Sequence, residues 1–157
     1  MNKRIACLVV FTLATFQAHA DFTGKVISIA DGDTITVLTA NNNQKRIRLS
    51  SIDAPEKNQP FGTKAKDFTG SLIHGKQVYI KEDGTDQYYR VLGTVFLGNQ
   101  NINKTIVHNG YAWVYRRYVK DSSYISLEMD AKRHQRGLWS DKNAIEPELW
   151  RRQQKNR

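Results

Sequence analysis

Cysteine is nearly absent from this chain of 157 residues: the one thiol is Cys7, inside an N-terminal apolar stretch. Once that stretch is set aside, the remainder has no disulfide framework, no thiolate metal site and no cysteine nucleophile. Long apolar runs are lacking too. Ile5 to Phe16 is broken only by Thr12 and Thr15; it follows the basic segment Met1-Asn2-Lys3-Arg4 and precedes Ala18-His19-Ala20. Basic, apolar and small residues in that order predict a leader for export, cleaved after Ala20; the run is short for a bilayer and has no stop-transfer flank. The expected product is an exported protein, periplasmic or secreted, with no membrane segment in its mature form. Internal repeats and low-complexity linkers are also missing. The length then suits one domain, over 21–145, with a basic tail over 146–157. His74, His108 and His134 form no metal spacing with one another, and Ser50-Ser51 has no His/Asp partners for a serine nucleophile.

What is present is charge of both signs, unequally shared. Lys and Arg number 24 against 15 Asp and Glu, for a formal charge of +9, which loss of Lys3 and Arg4 with the leader lowers by two. Such an excess favours encounter with polyanions. Against that background, carboxylates gather in two short segments, Asp31-Gly32-Asp33-Thr34 and Arg48-Leu49-Ser50-Ser51-Ile52-Asp53-Ala54-Pro55-Glu56. Clustered carboxylates suit a hard cation, and the cationic surround suits a polyanion. A metal-dependent phosphodiesterase acting on nucleic acid fits both.

Local patterning places these segments. Thr23 to Ala30 and Thr34 to Thr39 are rich in Val, Ile and Thr and flank Asp31-Gly32-Asp33, which reads as a hairpin turn. Gln44 to Ile52 alternates as a third strand, with Ile47 and Leu49 on one face and Arg46 and Arg48 on the other. Thr63 to Ile73 has helical spacing with Gly75 beyond its end. Gln77 to Glu82 and Val91 to Leu97 read as strands, and Ile102 to His108 and Ser122 to Arg136 as helices. Tyr111 to Tyr118 is aromatic and ambiguous. Leu149 and Trp150 are candidates to pack back onto the domain, with Arg151 to Arg157 frayed. Five strands and three helices in this order predict an α+β, mainly β, OB-fold: a five-stranded Greek-key barrel.

In a meander with these turns, Asp33 and Asp53 can meet at one rim of the sheet. Arg48, on the polar face of the third strand, points toward whatever Asp53 holds. A second polar loop, Asp86-Gln87-Tyr88-Tyr89-Arg90, ends in an arginine. Guanidinium groups match phosphate geometry through paired N–H donors and, with a divalent cation, suit the charge that builds on phosphorus oxygens during attack.

From Gly24 to Trp139 the chain resembles the staphylococcal nuclease (thermonuclease) family. The Asp-Gly-Asp-Thr motif matches Asp31 to Thr34, the Arg-Leu-x-x-Ile/Val-Asp-x-Pro-Glu motif Arg48 to Glu56, and the Asp-x-Tyr-x-Arg motif Asp86 to Arg90. The segments Gly110 to Tyr118 and Gly137-Leu138-Trp139 are also similar to the family's. The resemblance implies a Ca²⁺-dependent endonuclease that cuts DNA and RNA with little sequence preference and leaves 3′-phosphate ends, acting as a monomer. It implies Ca²⁺ on the side chains of Asp33 and Asp53 and the carbonyl of Ala54, with Asp31 a nearby acidic participant. Glu56 would act on the attacking water, and Arg48 and Arg90 would hold the phosphate. Tyr88 and an aromatic among Tyr111, Trp113, Tyr115 and Tyr118, with the alignment favouring Tyr118, would line the nucleotide pocket. Tyr89 departs from the small or acidic residue usual before the arginine, and Lys57 to Phe61 is shorter than in the best-known member. The alternative is an OB-fold module that binds nucleic acid without cutting it, though such a module has no need of Arg48, Glu56, Arg90 and the aspartates together. A basic surface-binding protein without a nucleic-acid role leaves the carboxylate cluster unexplained.

Overall fold

Alternation of apolar and polar residues makes the strands, and the turns between them set the rim on which the carboxylates stand. The computed structural model describes residues 20–156. The expected leader therefore lies outside the described residues except for Ala20. Strands β1 (Phe22–Asp31), β2 (Thr34–Thr39) and β3 (Gln44–Leu49) form an antiparallel meander, with Ile35 opposite Ile47 and Thr34 opposite Arg48. A two-residue strand, β4 (Ile52–Asp53), leads to helix α1 (Gly62–Ile73), then β5 (Gln77–Thr85) and β6 (Val91–Leu97). β5 pairs antiparallel with β1 and β6, and β6 runs parallel to β3 with Arg48 beside Leu92. These pairings close five strands in the circular order β1-β2-β3-β6-β5, the OB-fold barrel.

The described residues after β6 flank the barrel. They comprise β7 (Gln100–Asn101), α2 (Ile102–His108), β8 (Trp113–Val114), α3 (Ser123–Arg133), a 3-10 turn (Gly137–Ser140) and α4 (Pro147–Lys155). Val26, Ile35, Val37, Ile47, Leu49, Ile80 and Val95 fill the barrel, and Ala65, Ile73, Ile102 and Ile106 bring α1 and α2 onto it. Each such side chain, fully withdrawn from water, stabilises the fold by roughly 1.5–3 kcal/mol for a Val, Ile or Leu. Without disulfides, this burial carries the stability. Among the described residues, no helix is long and apolar enough to cross a membrane.

Three expectations are corrected. The third strand does not run unbroken to Ile52. It stops at Leu49, Ser51 takes a left-handed conformation with φ 68°, and Ile52–Asp53 turns away to pair with β8. Among the described residues there are four helices instead of three, and the expected fraying from Arg151 is corrected with it, because α4 runs over Pro147–Lys155. Pro147 opens α4 in its first turn, where the missing N–H costs no helical hydrogen bond, and is buried, while Trp150 is half-buried and Leu149 exposed.

Candidate active site

The β1–β2 turn is pressed against its neighbours. A Cβ on Gly32 would stand 2.7 Å from the Ala54 Cβ and 2.9 Å from that of Ala65, so only glycine lets the turn approach β4 and α1 this closely. Thr69 Oγ1 on α1 donates to the Gly32 carbonyl at 2.7 Å, fixing the turn from below. Asp33 follows and is 5 % exposed. Its Oδ2 accepts the Ala54 N–H at 2.6 Å and its Oδ1 the Thr34 hydroxyl at 3.1 Å. Asp31 Oδ1 in turn accepts the Asp33 N–H at 3.2 Å.

The Ser50–Ser51 kink brings Asp53 alongside. Asn103, buried on α2, braces the kink by donating to the Ser50 carbonyl at 2.9 Å. Asp53 is 3 % exposed. Arg48 Nη2 lies 2.9 Å from Asp53 Oδ1 and 3.1 Å from Asp33 Oδ2, while Nη1 donates to the carbonyls of Leu49 and Ile52 at 2.9 and 2.8 Å. These contacts occupy both terminal nitrogens and leave the Nε–H to other partners. Arg48 is thus the strut between the two aspartates, a role beyond the phosphate contact implied by the family.

Glu56 sits on the turn after Pro55. Its N–H donates to Gln59 Oε1 at 3.1 Å and its carbonyl accepts the Gln59 N–H at 2.9 Å, so its backbone is fixed. Among the described residues, Arg151 of α4 is the one side chain bonded to its carboxylate. Arg151 Nη1 donates to Glu56 Oε1 at 2.6 Å, and Nη2 donates to Asp53 Oδ2 at 2.9 Å. Burial opposes the charge of Arg151, but its bonds to Asp53 and Glu56 outweigh that and hold its pKa above the ordinary arginine value.

Asp33, Asp53 and Glu56 thus meet two guanidinium groups with Asp31 beside Asp33, so the four carboxylates, when all are ionised, exceed the guanidiniums by two charges. Burial pushes the Asp33 carboxyl up to about 8, with Asp31 and Asp53 adding to it and Arg48 and the Ala54 N–H opposing. A desolvated, under-compensated carboxylate is where a divalent cation relieves the most strain. Among the described residues, no three carboxylate, imidazole or thiol side chains form a ready cage for a metal. Two aspartates and a main-chain carbonyl nevertheless fit Ca²⁺, which takes hard oxygens and accepts water and phosphate at its remaining positions.

Arg90 stands at the foot of β6, whose pairing with β3 sets Val91 beside Ile47. Asp86 organises its loop. One carboxylate oxygen accepts the N–H groups of Tyr88 and Arg90 at 2.8 and 3.0 Å, and the other accepts Arg90 Nε at 2.7 Å. Partial burial opposes the Asp86 charge, but these donors prevail and hold its pKa below the usual range. Tyr88, exposed, lies with its ring centre 5.4 Å from the Arg90 guanidinium carbon. Of the four late aromatics, Tyr111 stacks on Phe68 at 3.9 Å and Trp113 meets Trp139 edge-on at 4.3 Å, both packing contacts. Tyr118, 60 % exposed, meets half-buried Tyr115 edge-on at 5.0 Å. Burial raises the Tyr115 hydroxyl pKa, helped by Glu148 and Asp53.

Sequence reasoning missed Arg151, Asn103 and Thr69. Thr69 and Asn103 are polar residues on otherwise apolar helix faces, which is the one signal that could have found them. Arg151 had Pro147 and Trp150 as a hint of a docked helix, but nothing local tied it to Asp53, 98 residues earlier.

Comparison with known proteins agrees with this construction. Residues 46–141 match the family described as Staphylococcal nuclease homologue. The chain is 40 % identical to an "Uncharacterized endonuclease" of Haemophilus influenzae, covering 99 % of this chain and 89 % of that protein. It is 42 % identical to a "Micrococcal nuclease" of Shigella flexneri, covering 98 % and 94 %, and 39 % identical to "Protein ParB" of Escherichia coli, covering 100 % and 94 %. With a closed five-stranded barrel, paired aspartates at its rim and these matches across its length, the chain belongs to the staphylococcal nuclease family.

Proposed function

We propose that the chain is an exported, Ca²⁺-dependent endonuclease that hydrolyses DNA and RNA with low sequence specificity and leaves 3′-phosphate ends, one barrel carrying a complete site. The observation that supports this most is the convergence of Asp33 and Asp53 on Arg48, and of Asp53 and Glu56 on Arg151, at a single rim, in a family whose relatives are named as nucleases.

Asp33, Asp53 and the Ala54 carbonyl would hold Ca²⁺, which supplies charge to a phosphoryl oxygen and orients the phosphate. The chain's own residues do the rest. Glu56 Oε1 is tied to Arg151, which leaves Oε2 to take a proton from the attacking water within hydrogen-bond reach. Arg48, pinned by two carbonyls and two aspartates, meets developing negative charge without reorganising. Arg90, held by Asp86, presents its remaining N–H donors to the same phosphate, and Tyr88 beside it offers a face for a base. The leading alternative is a non-catalytic module, and its defining feature would be binding without turnover.

Incubating the purified protein with plasmid and single-stranded DNA, with Ca²⁺ and then with a chelator, separates the two. Calcium-dependent cleavage with 3′-phosphate termini is expected. Tight binding with no cleavage under any divalent metal would favour the non-catalytic module, and 5′-phosphate termini would refute the bond assignment.

A further inference from the structure

Glu56 poses a physical problem for any role in activating water. It lies on a turn, its side chain is 38 % exposed, and it stands next to the carboxylate of Asp53. Left alone, a long flexible side chain with a like-charged neighbour swings into solvent. Arg151 removes that tendency by gripping both carboxylates with one planar fork: Nη1 on Glu56 Oε1 at 2.6 Å, Nη2 on Asp53 Oδ2 at 2.9 Å. Asp53 is fixed by the barrel and Glu56 is not, so the fork transmits the rigidity of β4 to the mobile carboxylate. It also selects one oxygen, since Oε1 is bound and Oε2 is left.

The helix that carries Arg151 is docked by contacts of its own. Gln59, three residues after Glu56, donates from Nε2 to the Ile145 carbonyl at 2.6 Å just before α4 begins. Pro147 is buried, and Arg117 reaches Glu148 at 3.4 Å. Helix α4 lies beyond residues 46–141, the stretch that matches the family. With all four carboxylates ionised the site carries two negative charges in excess with Arg151 in place, which leaves room for a dication without evicting it.

Resting on the reading of Glu56 as the group that acts on water, we propose that Arg151 is a positioning residue of the active site, holding the Glu56 carboxylate against Asp53 in its working orientation. It acts through Glu56 and does not itself touch the reacting atoms. Lysine cannot replace it fully, because a single ammonium lacks the fork that spans two carboxylates.

The test compares Arg151→Ala, Arg151→Lys and Arg152→Ala with the unaltered protein, reading kcat and KM on DNA with calcium, the calcium Kd by titration calorimetry, and thermal melting. Arg152 is on the same helix but pairs with Glu148, so its removal controls for effects on α4. Arg151→Ala is expected to lower kcat by about thirtyfold, with KM and the calcium Kd changed by less than about threefold and melting nearly unchanged. Millimolar guanidinium, against the same concentration of sodium chloride, should restore part of the lost kcat. Arg151→Lys should fall between, and Arg152→Ala should match the unaltered protein. An Arg151→Ala protein that cuts as fast as the unaltered one overturns the inference, as does a loss without guanidinium rescue. So does a calcium affinity raised about tenfold or more in Arg151→Ala, which would make Arg151 a competitor of the cation. Failure of the unaltered protein to cut with calcium would instead refute the functional reading on which the inference rests.

Discussion

The two arginine-bearing parts of the site are built on opposite principles. At the carboxylate rim, Asp33 and Asp53 are buried and fixed by elements far apart in sequence: the β1–β2 turn wedged by Gly32, the Ser51 kink braced by Asn103, and β4 paired with β8. In the Arg90 loop, one carboxylate, that of Asp86, organises five residues by itself, and Tyr88 and Tyr89 are exposed. A rim determined by the core resists deformation and loses everything when the core shifts. A loop determined by one side chain is cheap to unmake and barely coupled to stability. On the proposed function, rigidity lies where a cation would be held, and adaptability where a nucleic-acid strand would be gripped.

The contrast can be broken first at the rim. Asp53→Asn removes the partner of both Arg48 and Arg151, and activity should fall by about a thousandfold with calcium affinity down by about a hundredfold, measured by cleavage rate and calorimetry. Gly32→Val tests whether the core sets the rim. The Cβ overlaps with Ala54 and Ala65 should cost about 1–3 kcal/mol in denaturant unfolding and displace Asp33, so activity and stability fall together. Asp86→Asn should instead separate the two quantities, lowering kcat/KM by about tenfold to a hundredfold through a misplaced Arg90 while unfolding changes by less than about 1 kcal/mol. The smallest effect is expected from Tyr89→Gly. Tyr89 holds φ at 59°, where a side chain is strained, and glycine should gain about 1 kcal/mol of stability with cleavage unaltered. An Asp86→Asn protein as unstable as Gly32→Val would erase the distinction between the two regions.

What the sequence made legible follows the same divide. The β1–β2 hairpin, the alternation of β3 and the order of the five strands are local signals, and they suffice for the barrel. The three motifs lie at turns or strand ends, where composition is distinctive, so Asp33, Arg48, Asp53, Glu56 and Arg90 stand out as candidates, and the structure brings Asp33, Arg48 and Asp53 into contact. The kink at Ser51 escaped because serine carries no local mark of a left-handed conformation, and a continued alternation through Ile52 reads as a longer strand. The parallel closure of β3 on β6 and the reach of Arg151 to Asp53 are contacts across long stretches of chain, which no local pattern encodes. Helix α4 was missed because its mostly polar sequence, Pro-Glu-Leu-Trp-Arg-Arg-Gln-Gln-Lys, buries little more than Pro147 and part of Trp150. Its docking rests on Gln59 before it and on the pairing of Arg117 with Glu148.

The most direct test of the account is the turnover of Glu56→Gln on DNA with saturating calcium, measured beside its DNA affinity and calcium Kd. Glutamine keeps the shape and can still accept a hydrogen bond from Arg151, but it cannot take a proton from water. A kcat lower by about a thousandfold, with both affinities within about threefold of the unaltered protein, is the expected result. Turnover within about tenfold of the unaltered protein would contradict the account, because the carboxylate at the rim would then not be the group that acts on the attacking water.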